Sequence, residues 1–210
     1  KKNNFGGDKI VKETKKKKFL EFNSLCKINK GLIKPERIVK EINEIMPDNT
    51  YIVVDPGTPC PYFAAYYNFK KSGRYFITNR AHGALGYALP ASIGVKIGKS
   101  KNNVLSIMGD GSFGFAVGEL ETAKRLNLKI IFIVISNSVY GWIKAGQKSS
   151  FNKRYYSVDF SRTDHAKVSS SYGIKSWTVK KHQDLKKILK KALEYKGPCL
   201  VDIISQPLEE

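Results

Sequence analysis

At 210 residues the chain has room for one sizeable domain with an appended arm, and its apolar share of 41% is ordinary for a protein with a buried core. It carries 37 Lys and Arg against 18 Asp and Glu, a formal charge of +19, and its longest apolar run, Ile130 to Ile135, has the length of a strand rather than of a membrane span. Three scattered cysteines, Cys26, Cys60 and Cys199, form no CxxC pair, which argues against a disulfide framework or a zinc site and fits a reducing cytoplasm.

Methionine is normally retained before a bulky lysine, so a start at Lys1, with no signal-peptide pattern, is expected of a portion of a longer chain. Residues 1–30 are polar, rich in Lys, Asn and Gly and without clear periodicity, and read as a linker or the tail of a preceding domain. The first 18 residues hold eight lysines against Asp8 and Glu13. Clustered lysine is the electrostatic footprint of phosphate binding, so a basic nucleic-acid module is one reading. The cluster contains no arginine and no recognisable nucleic-acid motif, and a solvated surface is the simpler expectation.

Residues 31–210 read as one domain, with order beginning near Pro35. Pro35 suits a first helical position, Ile38, Val39, Ile42, Ile45 and Met46 make one apolar face, and Pro47 stops the helix. Tyr51 to Val54 is a short buried strand running into the turn-rich segment Asp55-Pro56-Gly57-Thr58-Pro59, and Tyr75 to Ile77 is a candidate second strand. A Gly/Ala-rich helix is expected from Gly86 to Ile97, then a strand from Val104 to Met108, the loop Gly109-Asp110-Gly111, and a helix with Phe113, Ala116, Val117, Leu120 and Ala123 on one side. Ile130 to Ile135 does not alternate, as befits a strand covered on both faces. Leu185, Ile188, Leu189, Ala192 and Leu193 mark a further helix, which Gly197-Pro198 breaks before a last strand, Cys199 to Ile204. Alternating strands and helices predict a three-layer α/β/α fold with a mainly parallel sheet. Ligands bind such sheets at the carboxyl ends of the strands, which directs attention to Asp55–Thr58, Gly109–Ser112 and Asn137–Tyr140.

Gly109-Asp110-Gly111-Ser112-Phe113-Gly114 matches GxGxxG between a strand and a helix, so a dinucleotide-binding oxidoreductase is a serious rival. Against it, Asp110 would sit close to a pyrophosphate, where like charges at ~4 Å repel by several kcal/mol at an effective dielectric near 20. The next strand also ends in Ser136-Asn137, without an acid for the ribose hydroxyls. A divalent cation reverses the objection. Magnesium takes hard oxygen ligands and bridges protein groups to phosphate. Asp110 offers a carboxylate, and Asn137, 27 residues on at the end of the neighbouring strand, offers an amide oxygen. Gly111 and Ser112 open a helix whose free N–H groups suit a diphosphate.

Gly109-Asp110-Gly111 with Asn137 at this distance resembles the signature of thiamine-diphosphate enzymes of the acetolactate synthase and 2-oxo-acid decarboxylase family. The matched segments run in order from about Pro35 to Ile204 and include His82-Gly83-Ala84-Leu85-Gly86-Tyr87-Ala88-Leu89-Pro90-Ala91 and Gly118-Glu119-Leu120-Glu121-Thr122-Ala123. The resemblance implies the family's thiamine-diphosphate-binding fold, with magnesium held by Asp110, Asn137 and the Val139 carbonyl. It also implies diphosphate contacts near Thr58, Gly111, Ser112 and the backbone at Trp142. Gly83 and Leu85 would meet the aminopyrimidine, Leu85 as the apolar wedge under a bent cofactor. His82 is a candidate for protonating an intermediate or steering a carboxylate, or else only for holding a backbone carbonyl.

The family's activating glutamate belongs to an N-terminal pyrimidine-binding domain on a partnering subunit. The resemblance therefore implies a homo-oligomer, a 2-oxo-acid substrate and an isolated chain without activity. It carries no expectation for flavin (FAD), which acetolactate synthases bind outside this domain. Two departures stand out. Ser136 replaces the first of the family's paired asparagines, and Gly146 stands nine residues after Asn137, where acetolactate synthases have tryptophan. The second leaves a benzoylformate- or pyruvate-decarboxylase-like lyase as the alternative. His165 and His182 are expected on the surface, and Arg80 and Cys60 are expected to pack near the pocket edge rather than act in it.

Overall fold

A computed structural model of the protein describes residues 7–207. Its sheet is built from β1 (Tyr51–Val54), β2 (Phe76–Ile77), β3 (Val104–Gly109), β4 (Ile130–Ser136), β5 (Lys175–Val179) and β6 (Cys199–Ile204). These six strands run in the order β2-β1-β3-β4-β6-β5. Every pairing is parallel, so the sheet expected to be mainly parallel is wholly so among the described residues.

Alternation along the strands explains the layering. Successive side chains leave opposite faces, so a strand apolar at every position needs cover on both. In β4, Ile131, Ile133 and Ile135 enter one core while Ile130, Phe132 and Val134 enter the other. The first core is closed by α2 (Pro35–Ile45), α3 (Pro59–Tyr66) and α9 (His182–Glu194), through Ile38, Ile42, Phe63, Leu185 and Leu189. The second is closed by α4 (Ala88–Gly98), α5 (Asp110–Ala116) and α6 (Leu120–Arg125), through Leu89, Ile93, Phe113, Leu120 and Ala123. The three-layer expectation holds.

Several details differ from the sequence reading. Order does not begin near Pro35: α1 (Gly7–Cys26) is a 20-residue helix inside the segment read as irregular. Its lysines are good helix formers, and Phe19, Phe22 and Cys26 recur at helical spacing, a face masked by the surrounding charge. That face docks on α3, where Phe22 stacks on Tyr66 at 4.4 Å and the Lys18 ammonium donates to the Ala65 carbonyl at 3.0 Å. The turn signals of Pro59 and Pro61 hid α3, yet proline is tolerated in a first helical turn, where the N–H has no partner to lose. The single helix expected after the GDG loop is two, joined by a 3-10 turn at Val117–Glu119. α7 (Gly141–Ser150), α8 (His165–Ser171) and β5 were not foreseen. Among the described residues, no helix is long and apolar enough to cross a membrane.

The chain leaves β1 for β2 on one side and then returns to β3 on the other. That reversal opens a crevice at the carboxyl ends of β1 and β3, the usual ligand position in such sheets.

Candidate functional site

A cavity of about 430 Å³ occupies this crevice, lined by residues of the β1, β3 and β4 loops, of the Arg80–Leu85 segment and of the start of α7. It brings together Thr58, Gly83, Leu85, Asp110, Gly111, Ser112, Asn137, Val139 and Trp142. Nine of the ten residues singled out from sequence thus share one cavity. His82 does not line it: the side chain is exposed, in a turn where its N–H donates to the Asn79 carbonyl at 3.2 Å.

Asp110 organises the floor. Its side chain is only 5% exposed. One carboxylate oxygen accepts from Gly111 N–H at 2.9 Å and the other from Asn137 and Ser138 N–H at 2.8 and 2.6 Å. Ser138 sits at φ +60°, a left-handed conformation uncommon for serine, which turns both N–H groups of the β4 loop toward one oxygen. Burial is the strongest influence on the carboxyl and raises it above the usual carboxylate range against these three donors.

Asn137 Oδ1 accepts from Val139 N–H at 3.3 Å, and the Val139 carbonyl accepts from Gly141 N–H at 2.9 Å, leaving lone pairs on both oxygens. The loop is pinned from behind, Tyr140 N–H donating to Val158 and Phe160 N–H to Ser138. A carboxylate, an amide oxygen and a carbonyl form a hard-oxygen donor set that suits magnesium better than zinc. Gly111 is required by close approach: a Cβ there would overlap the Tyr140 ring. Thr58 precedes α3 and makes no side-chain capping bond, so its hydroxyl is left to the cavity. Leu85 lies against the β1 loop, its Cδ2 3.6 Å from where a Cβ on Gly57 would be.

Two features of the site were not read from the sequence. Asp55, fully buried, accepts from the N–H groups of Gly86, Tyr87 and Ala88 at 2.9, 3.2 and 3.1 Å, tying the β1 loop to the start of α4. Desolvation raises its carboxyl to about 6 despite those bonds. The second is a buried cluster beneath Asn137. Ser136 Oγ donates to Asp202 Oδ1 at 2.5 Å and lies 3.0 Å from His165 Nδ1, while Arg162 donates to the other Asp202 oxygen at 3.0 Å. His165, expected at the surface, is therefore buried, with its ring edge-on to Phe113. Burial would raise Asp202, but His165, Ser136 and Arg162 together hold it below its ordinary value. A charged residue inside the apolar strand Cys199–Ile204 was the available signal, since a fully buried carboxylate requires partners.

Cys60 packs in the core and does not line the cavity. Arg80 lines the cavity, in keeping with a place at the pocket edge. Trp142, half exposed, lines it as well, whereas Gly146 lies further along α7 and does not.

A doubly covered parallel sheet with an aspartate and an asparagine at adjacent strand ends is the frame of a diphosphate-binding domain, and the family match agrees. Residues 55–203, more than two thirds of the chain, match the family described as "Thiamine pyrophosphate enzyme, C-terminal TPP binding domain", and the chain belongs to it. It is homologous to acetolactate synthase large subunits. It is 35% identical over 181 residues to the acetolactate synthase large subunit of Buchnera aphidicola, covering 86% of this chain and 31% of that one. With acetolactate synthase of Bacillus subtilis it shares 32% over 169 residues, 80% of this chain and 29% of the relative. The mitochondrial catalytic subunit of Aspergillus candidus is 30% identical over 178 residues, 83% and 26% of the two chains. The chain thus spans between 26% and 31% of these relatives. The match also sets aside the dinucleotide and nucleic-acid readings.

Proposed function

We propose that the chain is the diphosphate- and metal-binding domain of a magnesium- and thiamine-diphosphate-dependent 2-oxo-acid carboligase of the acetolactate synthase type. The observation that carries this reading is that Asp110, Asn137, Val139, Gly111 and Ser112 line one cavity at the carboxyl ends of adjacent strands. The fit is favourable. Asp110 is a buried carboxylate held by three N–H groups, and the backbone at Gly111 leaves no room for a side chain.

Asp110, Asn137 and the Val139 carbonyl would hold magnesium, while Ser112, Thr58 and the free N–H groups at the start of α5 would hold the diphosphate. When bound there, thiamine diphosphate would supply the nucleophilic carbon and the electron sink that decarboxylation of a 2-oxo acid requires. This chain's share would be placement: Leu85 would support the cofactor from the β1 side and Gly83 would offer its carbonyl.

The activating glutamate would come from an N-terminal pyrimidine-binding domain on a partnering subunit of a homo-oligomer. Two observations support this. The chain spans under a third of its relatives, and Trp142 and Ile143 line the cavity yet remain about half exposed. The buried, unpaired Cys26, Cys60 and Cys199 suit a reducing cytoplasm. A benzoylformate- or pyruvate-decarboxylase-like lyase is the second reading, resting on Gly146 at the position where acetolactate synthases have tryptophan.

The test supplies the complete protein with pyruvate or benzoylformate, thiamine diphosphate and magnesium. Carbon dioxide together with acetolactate is the expected result, this chain alone giving neither. Free aldehyde as the sole organic product would favour the lyase. Failure of the complete protein to bind the cofactor in the presence of magnesium would refute both.

A further inference from the structure

Ser136 ends β4, immediately before Asn137, and is one of the two places where the chain departs from the pattern of its family. Its backbone is fixed by the sheet, with Ser205 N–H donating to its carbonyl at 2.9 Å. Its side chain, buried with the residue at 2% exposure, is fixed as well. A hydroxyl has one hydrogen, and a carboxylate ion-paired to arginine, as Asp202 is to Arg162, can only accept. The 2.5 Å contact to Asp202 Oδ1 therefore takes that hydrogen. The 3.0 Å contact to His165 Nδ1 then has one direction: Nδ1 carries a proton and donates to Ser136 Oγ. Phe113 meets the His165 ring edge-on, which holds the imidazole plane from α5.

What this order does for the loop depends on how else the loop is held. β4 lies between β3 and β6. From the β3 side, one oxygen of Asp110 accepts from both Asn137 and Ser138 N–H. On the function proposed above, that carboxylate and the Asn137 amide oxygen would face magnesium together. A tether shared with the cation is a poor reference for Asn137, because charge drawn toward the ion weakens the two N–H bonds. The anchor on the β6 side has no such conflict: Ser136, His165, Asp202 and Arg162 lie outside the cavity lining. It fixes the residue preceding Asn137 whether or not a cation is bound.

We propose that Ser136, oriented by His165 and Asp202, is a positioning residue that sets the Asn137 amide oxygen for magnesium. The inference rests on the proposed function and deepens it, assigning the buried cluster to the metal rather than to stability alone. Removing a partner that orients a metal ligand typically lowers metal affinity about 10- to 100-fold. A cluster serving stability alone would cost stability when broken and leave the response to magnesium unchanged.

The test uses the complete protein and needs no turnover. Calorimetry follows thiamine diphosphate binding across a range of magnesium concentrations, and a thermal melt checks each variant for folding. Ser136→Ala should raise the magnesium concentration at half-saturation about ten-fold, while cofactor affinity in excess magnesium stays at the wild-type value. Two histidine variants separate geometry from packing. Asparagine places its amide nitrogen where Nδ1 stands and still donates to Ser136. Glutamine, closer to histidine in size, places its nitrogen where Nε2 stands and does not. His165→Asn should therefore keep the wild-type magnesium midpoint, and His165→Gln should follow Ser136→Ala. An unchanged midpoint in folded Ser136→Ala overturns the proposal, and so does an equal effect of the two histidine variants. Should Ser136→Ala fail to fold, the histidine pair decides alone. Cofactor affinity that excess magnesium does not restore also overturns it, by making the cluster a prop of the whole site. If the wild-type protein shows no magnesium-dependent cofactor binding, the functional reading itself fails, a result distinct from these.

Discussion

Replacing Asp110 by asparagine preserves the side chain's volume and removes its charge, which separates two roles that alanine would confound. The carboxylate accepts three N–H bonds at 2.6–2.9 Å in a site 5% exposed. Asparagine keeps one acceptor oxygen but turns an NH2 toward an N–H donor, so at least one charge-assisted bond is lost, at about 1.5–3 kcal/mol. Relief of burying the charge, visible in the raised carboxyl, offsets part of that. A modest loss of stability is therefore expected, on the order of 1–2 kcal/mol.

The effect on the proposed metal is larger. A unit charge at ~4 Å from a cation contributes on the order of 4 kcal/mol per unit of cation charge at an effective dielectric near 20. Even with much of this spent on stripping water from the ion, magnesium-dependent thiamine diphosphate affinity should fall by at least ~100-fold, about 2.7 kcal/mol. Calorimetry on the complete protein at fixed magnesium reads the affinity, and a thermal melt checks that the variant is folded. A folded Asp110→Asn protein with wild-type affinity and wild-type magnesium dependence would refute the assignment of Asp110 to the metal.

Three further outcomes are expected. Asp202→Asn should lower unfolding free energy by about 3–5 kcal/mol, because it strips a fully buried carboxylate from Arg162, His165 and Ser136; a loss under ~1 kcal/mol in denaturant titration would show the cluster to be incidental. Leu85→Ala in the complete protein should reduce turnover per bound cofactor more than cofactor affinity; collapsed affinity with normal turnover would reduce Leu85 to packing. Asp55 titrates near 6 in the fold against an ordinary 3.8, so between those values the folded state binds more protons and stability falls as pH rises. Denaturant midpoints from pH 4 to 7 should show that slope, and a slope unchanged in Asp55→Asn would show that it arises elsewhere.

Apolar periodicity was enough to place α2, α9, β1, β3, β4 and β6, because each buries a face whose spacing is visible in one dimension. The elements missed are those whose apolar signal is diluted. α1 sets its docking face of Phe19, Phe22 and Cys26 among lysines and apolar residues that point elsewhere, α8 is mostly serine outside His165, Ala166 and Val168, and β5 is half exposed at a sheet edge. Most of the cavity lining was legible because its residues sit on loops directly after apolar strands. His82 lay outside because a turn from Asn79 to Gly83 carries it away, and a local reversal of that kind has no periodicity to betray it. The cluster under Asn137 joins residues 66 positions apart, Ser136 and Asp202, which only the β4–β6 pairing brings together.

Three buried aspartates, two just after β1 and β3 and one within β6, share one structural role. Asp55 joins the β1 loop to α4, Asp110 joins the β3 loop to the β4 loop, and Asp202 joins β6 to the end of β4. Each cross-links segments distant in sequence by accepting hydrogen bonds, so the loops around the cavity are ordered by polar bonds rather than by apolar packing. Burial works against the charge in all three, but the outcomes diverge. Asp202 has Arg162 and His165 beside it and is held below its ordinary value. Asp55 and Asp110 have chiefly N–H donors and are raised. Of that raised pair, Asp110 lines the cavity and Asp55 does not. The one carboxylate facing open space is thus also one whose burial is only partly offset, by three N–H donors and His165, and there a cation would gain a partner. A carboxylate whose burial is incompletely offset and which faces a cavity is where a bound cation would contribute most.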